Sequence, residues 1–328
     1  MAQPNQTNIW DLSDLCTPWC VHVAATLRIA DHIENGIHQV DDLAAAAGVD
    51  SSALHAMLGH LVQKGVFAEP APGWFELNEP ARDLLDPIAR SMLDLNGLGG
   101  RFAHAWGTML AYVRTGRSAY AQEFGLPFFD DLAANPEIHQ TFDAIIGPPG
   151  HGTPNPHFEI TGGWEPVKAV ADVGGGTGAM LAGMLKAHPH LRGILVDQPA
   201  TVARSGEIFE AAGVADRVTT AGQSFFDPLP PGADIYLLRG IINDWGDEES
   251  EAILRQCAVA AGEQGRVVVL KSVSPDGTPK DLMIEMILVG GKHRTISEFN
   301  TLAQKAGLEV VNAGQQEAYY VVECKPVR

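Results

Sequence analysis

The sequence predicts an α/β protein, with a helical N-terminal part followed by a doubly wound sheet. Three observations carry this. Near the N-terminus apolar residues recur every three or four positions, the helical period. From Val167 onward the pattern changes to short, mostly β-branched runs separated by helical segments. A glycine-dense turn, Asp172-Val-Gly-Gly-Gly-Thr-Gly178, joins the first of those runs to a helix. With 328 residues, 45% of them apolar, the chain exceeds one small domain and can bury substantial cores. The expected division is 1–95, 96–163 and 164–328.

Taken in order, Leu12, Leu15, Trp19, Val23, Leu27 and Ala30 mark the first helical run, and Pro18 marks the first turn of a second helical segment. The stretch VDDLAAAAGVDSSALHAMLGHLVQKGVFAEPAPGWFELNEPA reads as a winged-helix outline. A short helix ends near Gly48, a Ser-capped helix covers 51–64, and a two-strand wing with Gly73 in its turn covers 66–77. Residues 81–146 are again helical and rich in aromatic residues and Met. Trp106, Met109, Phe129, Phe142 and Ile146 lie there, and they suit either ordinary core or an apolar substrate wall. Residues 147–163 are dense in Gly and Pro and form a loop or linker. The sheet is expected from VKAVADV, GILVDQP, DIYLLRG, GRVVVLK and YYVVEC, with an antiparallel edge built by the last strands.

Charge limits the partners. Lys and Arg number 22 against 40 Asp and Glu, a net −18. Such a surface repels phosphate backbones and anionic lipid. The helix at 51–64 offers only Lys64, His55 and His60 where a recognition helix needs Arg and Lys, so a DNA-binding regulator is set aside and the N-terminal part reads as a dimerisation module. The four cysteines (Cys16, Cys20, Cys257, Cys324) are too scattered for a disulfide framework or a C-x-x-C metal site. The start, MAQPNQTNIWDLSD, does not read as a leader peptide, and no apolar run approaches a membrane span. The expectation is a cytoplasmic protein without a metal.

The glycine turn is where chemistry enters. Glycines let the backbone turn tightly and approach a ligand, and the following helix adds its positive end. Asp197, at the end of the next strand, is placed to accept ribose hydroxyls. Asp172, inside the motif, opposes a pyrophosphate but suits an ammonium group. That combination points to S-adenosylmethionine over NAD.

At this point the chain resembles the plant-type small-molecule O-methyltransferases, in a bacterial branch similar to enzymes that methylate hydroxylated aromatic antibiotics. VAATLRIADHI, DVGGGTG, LVDQP, SFFDPLP, LLRGIINDWGDEE and GGKHRTISEF carry the resemblance over nearly the whole chain. It implies a Rossmann-like class I methyltransferase domain, an N-terminal helical dimerisation domain, a homodimer, and a substrate cleft between domains. It also implies that Asp172, Gly174 and Gly176 cradle the amino-acid end of the cofactor and Asp197 holds its ribose. Ser224 and Phe225 would flank the adenine, Arg239 would lie near the cofactor, and Trp245 would close the wall. Ser224 stands where the family often has an acid. The substrate would meet Trp106, Met109, Phe129, Phe142, Ile146 and Asp244.

The departures from the family concern the base. Asn243 stands where the family has a catalytic histidine, and Lys271 and His293 stand where it has two glutamates. Asn accepts no proton at neutral pH. A general base is typically worth ~10²–10⁴-fold, whereas in-line positioning reaches effective molarities of ~10⁵–10⁸ M. Transfer by proximity is therefore feasible. The three exchanges move the pocket by about three charge units toward positive if Lys271 is ionised, which favours an anionic group. Lys271 could instead act as a base or point to solvent. The resemblance implies that the neighbourhoods of His139 and His293 lie beside the substrate, so these two lead the remaining candidate bases, ahead of His151 and His157. A metal held by Asn243, Asp244 and His293 would have a poor ligand set.

Two enzymatic readings result. The first is methyl transfer to a small aromatic or polycyclic natural product, in antibiotic or other secondary metabolism. The alternative keeps the sulfonium cofactor for a non-methylating step: cyclisation such as cyclopropane formation, decarboxylation or a pericyclic reaction. Loss of the family's base constellation is the feature that favours it.

Overall fold

The structure is a computed structural model, and residues 8–145 and 155–327 are described. Ile146 and His151 lie outside the described residues. The chain divides into two compact units, residues 1–104 and 105–328.

Among the described residues the first unit is helical apart from one hairpin. Helix Cys16–Thr26 carries Pro18 in its first turn, where a missing N–H costs nothing. Helix Val40–Ala47 ends at Gly48, whose φ of +70° is the left-handed turn that glycine adopts freely. The next helix, Ser51–Gln63, is capped by Asp50 and not by a serine: the Asp50 carboxylate accepts from the Ala53 N–H at 2.8 Å. Strands β1 (Ala68–Ala71) and β2 (Trp74–Glu76) pair antiparallel around Gly73. Leu43, Leu54, Leu58, Leu61 and Phe75 are buried in one core. The four- and three-residue spacing of Leu54, Leu58 and Leu61 along Ser51–Gln63 is the amphipathic pattern that turns one helix face inward.

The second unit holds a mixed sheet. Its strands are β3 (Ala169–Val173), β4 (Arg192–Asp197), β5 (Val218–Gly222), β6 (Ile235–Arg239), β7 (Arg266–Leu270), β10 (Leu308–Gln315) and β11 (Tyr320–Pro326). The short pair β8 (Val273–Ser274) and β9 (Arg294–Thr295) stands apart. The seven-stranded order is β10-β11-β7-β6-β3-β4-β5. Strands β3 to β7 run parallel, and β11 and β10 close the sheet antiparallel, as the sequence led one to expect. Along β6, Ile235 and Leu237 enter one core while Tyr236 and Leu238 enter the other, so both faces are covered. Strand order reverses at β3, whose neighbours β4 and β6 lead away on opposite sides. Ligand crevices of open α/β sheets form at the carboxyl ends of the strands there.

Candidate functional site

The turn leaving β3 is held by its neighbours. The Gly174 N–H donates to the Val196 carbonyl at 2.8 Å, and helix Ala179–Ala187 follows. Gly174 and Gly178 both have positive φ and close packing. A Cβ on the first would lie 2.5 Å from Ile241 Cδ1, and on the second 2.4 Å from the Phe209 ring. Gly176, at φ +60°, differs: a Cβ there meets nothing within 4 Å, so the space over the turn is open. One acid, Asp197, is tied to that turn. The Gly176 N–H donates to Asp197 Oδ2 at 2.8 Å, and the Gln198 N–H donates to Asp197 Oδ1 at 2.7 Å. Burial raises the Asp197 carboxyl above the usual range, against the pull of those two amides.

Asp172 is 1% exposed, and its Oδ2 has no hydrogen-bond partner. Burial pushes it up to about 7; Arg239 opposes the rise and Asp197 adds to it. A buried carboxylate oxygen without a donor is costly unless a ligand supplies one. An ammonium group fits that need, and a phosphate does not. Arg239 ends β6, with its guanidinium 5.9 Å from the Tyr319 ring centroid.

On the next loop Ser224 and Phe225 are half-buried. Ser224 Oγ accepts the Phe226 N–H at 3.2 Å, so the hydroxyl stabilises its own turn. Phe225 meets Trp245 edge-on at 5.9 Å. Trp245 also stacks on Phe129 at 5.8 Å, and Phe129 meets Phe142 at 6.4 Å. Four of the residues singled out in the sequence thus form one aromatic wall. Trp106 is exposed and Met109 half-buried on the helical stretch that opens this unit.

The proposed acid–base residues divide into two places. His139 Nε2 lies 3.5 Å from Asp143 Oδ2 one turn along the same helix, and Arg204 pairs with that carboxylate. His139 and Asp143 both act on the charge of Asp197, which sets them at the end of β4. Asn243 belongs to the loop after β6. It receives the Ser272 hydroxyl on Oδ1 at 2.8 Å and donates from Nδ2 to Asp244 Oδ1 at 2.7 Å. Burial pushes Asp244 up to about 8, with Glu285 adding like charge. His293 is held by Ser274 Oγ at 3.3 Å through Nε2, and its buried Nδ1 has no hydrogen-bond partner. Lys271 is exposed, with a left-handed φ of +61°; the part of it that is buried, and Arg239 nearby, hold its ammonium below the usual range.

Two contributors carried no assigned role in the sequence. Arg294 is 1% exposed and donates to the Ile242 carbonyl at 2.7 Å, the Trp245 carbonyl at 2.9 Å and Asp247 Oδ1 at 2.8 Å. It fixes the loop that bears Asn243 and Asp244. Ser272, also 1% exposed, orients the Asn243 amide. The only sequence signal for Arg294 was its place in GGKHRT, next to the residue taken as important. Close approach completes the frame: a Cβ on Gly291 would strike the Asn243 carbonyl oxygen at 2.4 Å, and the Lys292 N–H donates to that oxygen at 2.9 Å.

Known proteins resemble this chain in sequence and fold. A family profile described as an O-methyltransferase domain matches residues 106–309. The 2,7-dihydroxy-5-methyl-1-naphthoate 7-O-methyltransferase of Streptomyces carzinostaticus is 38% identical over 91% of each chain. Aclacinomycin 10-hydroxylase RdmB of Streptomyces purpurascens is 36% identical over 92% of this chain and 84% of its own. Among solved structures, the O-methyltransferase NcsB1 from neocarzinostatin biosynthesis, in complex with S-adenosylmethionine and 2-hydroxy-5-methyl naphthoic acid, superposes with a TM-score of 0.85. It is 34% identical over 99% of this chain and 100% of its own. TnmH, also 34% identical with the same coverage, gives 0.88.

Proposed function

The chain belongs to the O-methyltransferase domain family, and from that premise we propose that it methylates a hydroxyl of a small aromatic or polycyclic natural-product intermediate with S-adenosylmethionine. The observation that carries the reading is the Asp197 carboxylate held by the Gly176 N–H where the turn leaves open space, together with the unpartnered Oδ2 of buried Asp172 in the same motif. Asp172 would take the ammonium of the cofactor's amino-acid end, and Asp197 would accept its ribose hydroxyls with the lone pairs its two amide contacts leave free. Phe225 would lie against the adenine. When bound, the cofactor supplies a sulfonium-activated methyl group.

The residues of this chain then have three tasks. The Phe129–Phe142–Trp245 wall holds a flat apolar acceptor and excludes water. The loop clamped by Arg294 sets the acceptor hydroxyl in line, which supplies most of the acceleration. The proton of that hydroxyl goes to Asp244. Its carboxyl, pushed up to about 8, is far better matched to a phenol than an ordinary aspartate is, and Asn243 orients it through Nδ2. His139 is tied to Asp143 near Asp197, so its part falls at the cofactor end. Lys271 and His293 would favour an anionic substituent on the acceptor, such as a carboxylate.

None of these relatives is named for a cyclising, decarboxylating or pericyclic reaction; one is named a naphthoate methyltransferase, and the one named a hydroxylase is the exception to methyl transfer. The same reading includes a homodimer through the N-terminal unit, supported by the exposed Ile9, Trp10, Leu12 and Leu15. It also includes a place in cytoplasmic secondary metabolism; no helix among the described residues is long and apolar enough to cross a membrane. Calorimetric titration with S-adenosylhomocysteine and with a dihydroxynaphthoate tests the assignment. Saturable binding of both supports it; absence of nucleoside binding contradicts it.

A further inference from the structure

The fold assembles one cluster that the reaction does not use. Cys16 and Cys20 stand one turn apart on helix Cys16–Thr26, and helix Ser51–Gln63 brings His60 beside them. Their ligand atoms all lie within 4.8 Å of one another, and among the described residues this is the one such grouping of three His, Cys, Asp or Glu side chains. The four cysteines looked too scattered for a metal when read along the chain; folding removes the separation.

The geometry points to a thiophilic metal site, and we propose that Cys16, Cys20 and His60 bind a zinc ion that clamps these two helices together. The two Sγ atoms are 3.8 Å apart. That is far longer than a disulfide bond of about 2.05 Å. It equals the edge of a tetrahedron built on Zn–S distances of about 2.3 Å, which is about 3.8 Å. The histidine ring is already held in place. Thr17 Oγ1 gives its own proton to Asp14 Oδ2 at 2.6 Å, so it receives His60 Nε2 at 2.8 Å as an acceptor. Partner groups of this kind fix the orientation of ligating imidazoles. Two sulfurs and one imidazole nitrogen select zinc over magnesium or calcium. Binding releases one proton from each thiol, and the two thiolates neutralise the dication; the fourth position is left for water.

The site is open to a direct test because the other two cysteines, Cys257 and Cys324, are fully buried. The full-length protein, reduced and stripped with chelator, is titrated with Zn²⁺ and, separately, with Co²⁺. Metal content is read by elemental analysis and cobalt geometry by its thiolate charge-transfer and d–d absorption. The expected result is one ion per chain in tetrahedral thiolate coordination, with affinity about tenfold or more weaker in Cys16→Ser/Cys20→Ser and in His60→Ala. Equal metal content in wild type and the Cys16→Ser/Cys20→Ser variant would overturn the proposal. So would a Cys16–Cys20 disulfide that persists in the reduced preparation, or octahedral cobalt lacking thiolate bands. His60→Ala keeps both thiols, so a folding defect in the serine variant does not shield the claim.

Discussion

The Gly176 N–H and Asp197 Oδ2 meet at 2.8 Å, joining the turn after β3 to the acid that ends β4. This contact places a carboxylate with spare lone pairs at the rim of the open space above the turn, and the whole cofactor assignment runs through it.

Replacing Asp197 with Ala removes that carboxylate and the ribose hydrogen bonds proposed for it. Hydrogen bonds to a charged group contribute ~1.5–3 kcal/mol each, so S-adenosylhomocysteine should bind about 100-fold more weakly or worse. Calorimetric affinity equal to wild type contradicts the ribose role.

The glycines of the turn should respond differently to alanine. Gly174→Ala combines a left-handed φ with a Cβ 2.5 Å from Ile241, and Gly176→Ala carries only the backbone strain. An alanine in that conformation costs ~1–2 kcal/mol. Gly176→Ala should therefore lose about that much stability while still losing nucleoside binding, because its Cβ enters the ligand's space. Gly174→Ala should be distinctly less stable, as denaturant titration of the two variants will show.

Asp244 must be ionised to accept a proton. With its carboxyl pushed up to about 8, turnover in wild type should rise with pH through that value and then level. Asp244→Asn should lower kcat by ~10²-fold or more and abolish this limb, whereas His139→Ala and His293→Ala should each cost less than about tenfold. An unchanged profile in Asp244→Asn, or a large loss in either histidine variant, assigns the proton elsewhere.

The same burial affects stability without ligand. The fold raises Asp172 from 3.8 to about 7, so the native state favours its protonated form. The stability this group contributes is complete below about 3.8 and is lost as pH rises through about 7. Asp244 acts in the same direction up to about 8. Thermal midpoints of the unliganded protein should therefore fall between mild acid and pH 8, and Asp172→Asn should flatten part of that slope. Parallel profiles for the two proteins contradict the account.

Much of this architecture was legible because it depends on period. The β-branched runs at β3, β4, β6, β7 and β11 are buried on both faces, so they stand out in the sequence. Strand β5, VTTAG, lies at the sheet edge, is largely exposed and carries polar residues, and it was missed for that reason. The cap of helix Ser51–Gln63 fell to Asp50 because only the residue preceding the helix can offer its side chain to the free N–H groups. Motif spacing brought out Asp172 and Asp197. It could not reveal that Asp172 Oδ2 is orphaned, that Asp244 is held largely protonated at neutral pH, or that Arg294 clamps the loop. Those properties belong to burial and to contacts between distant segments. Cys16, Cys20 and His60 illustrate the same point, since only helix packing unites them.

The most direct measurement is mass spectrometry of a reaction containing a hydroxylated naphthoate and S-adenosylmethionine whose methyl group is deuterated. Methyl transfer predicts a product that carries the intact labelled methyl on oxygen, with S-adenosylhomocysteine formed in equal amount. Product that forms without the label, or with the nucleoside left unconsumed, would contradict it.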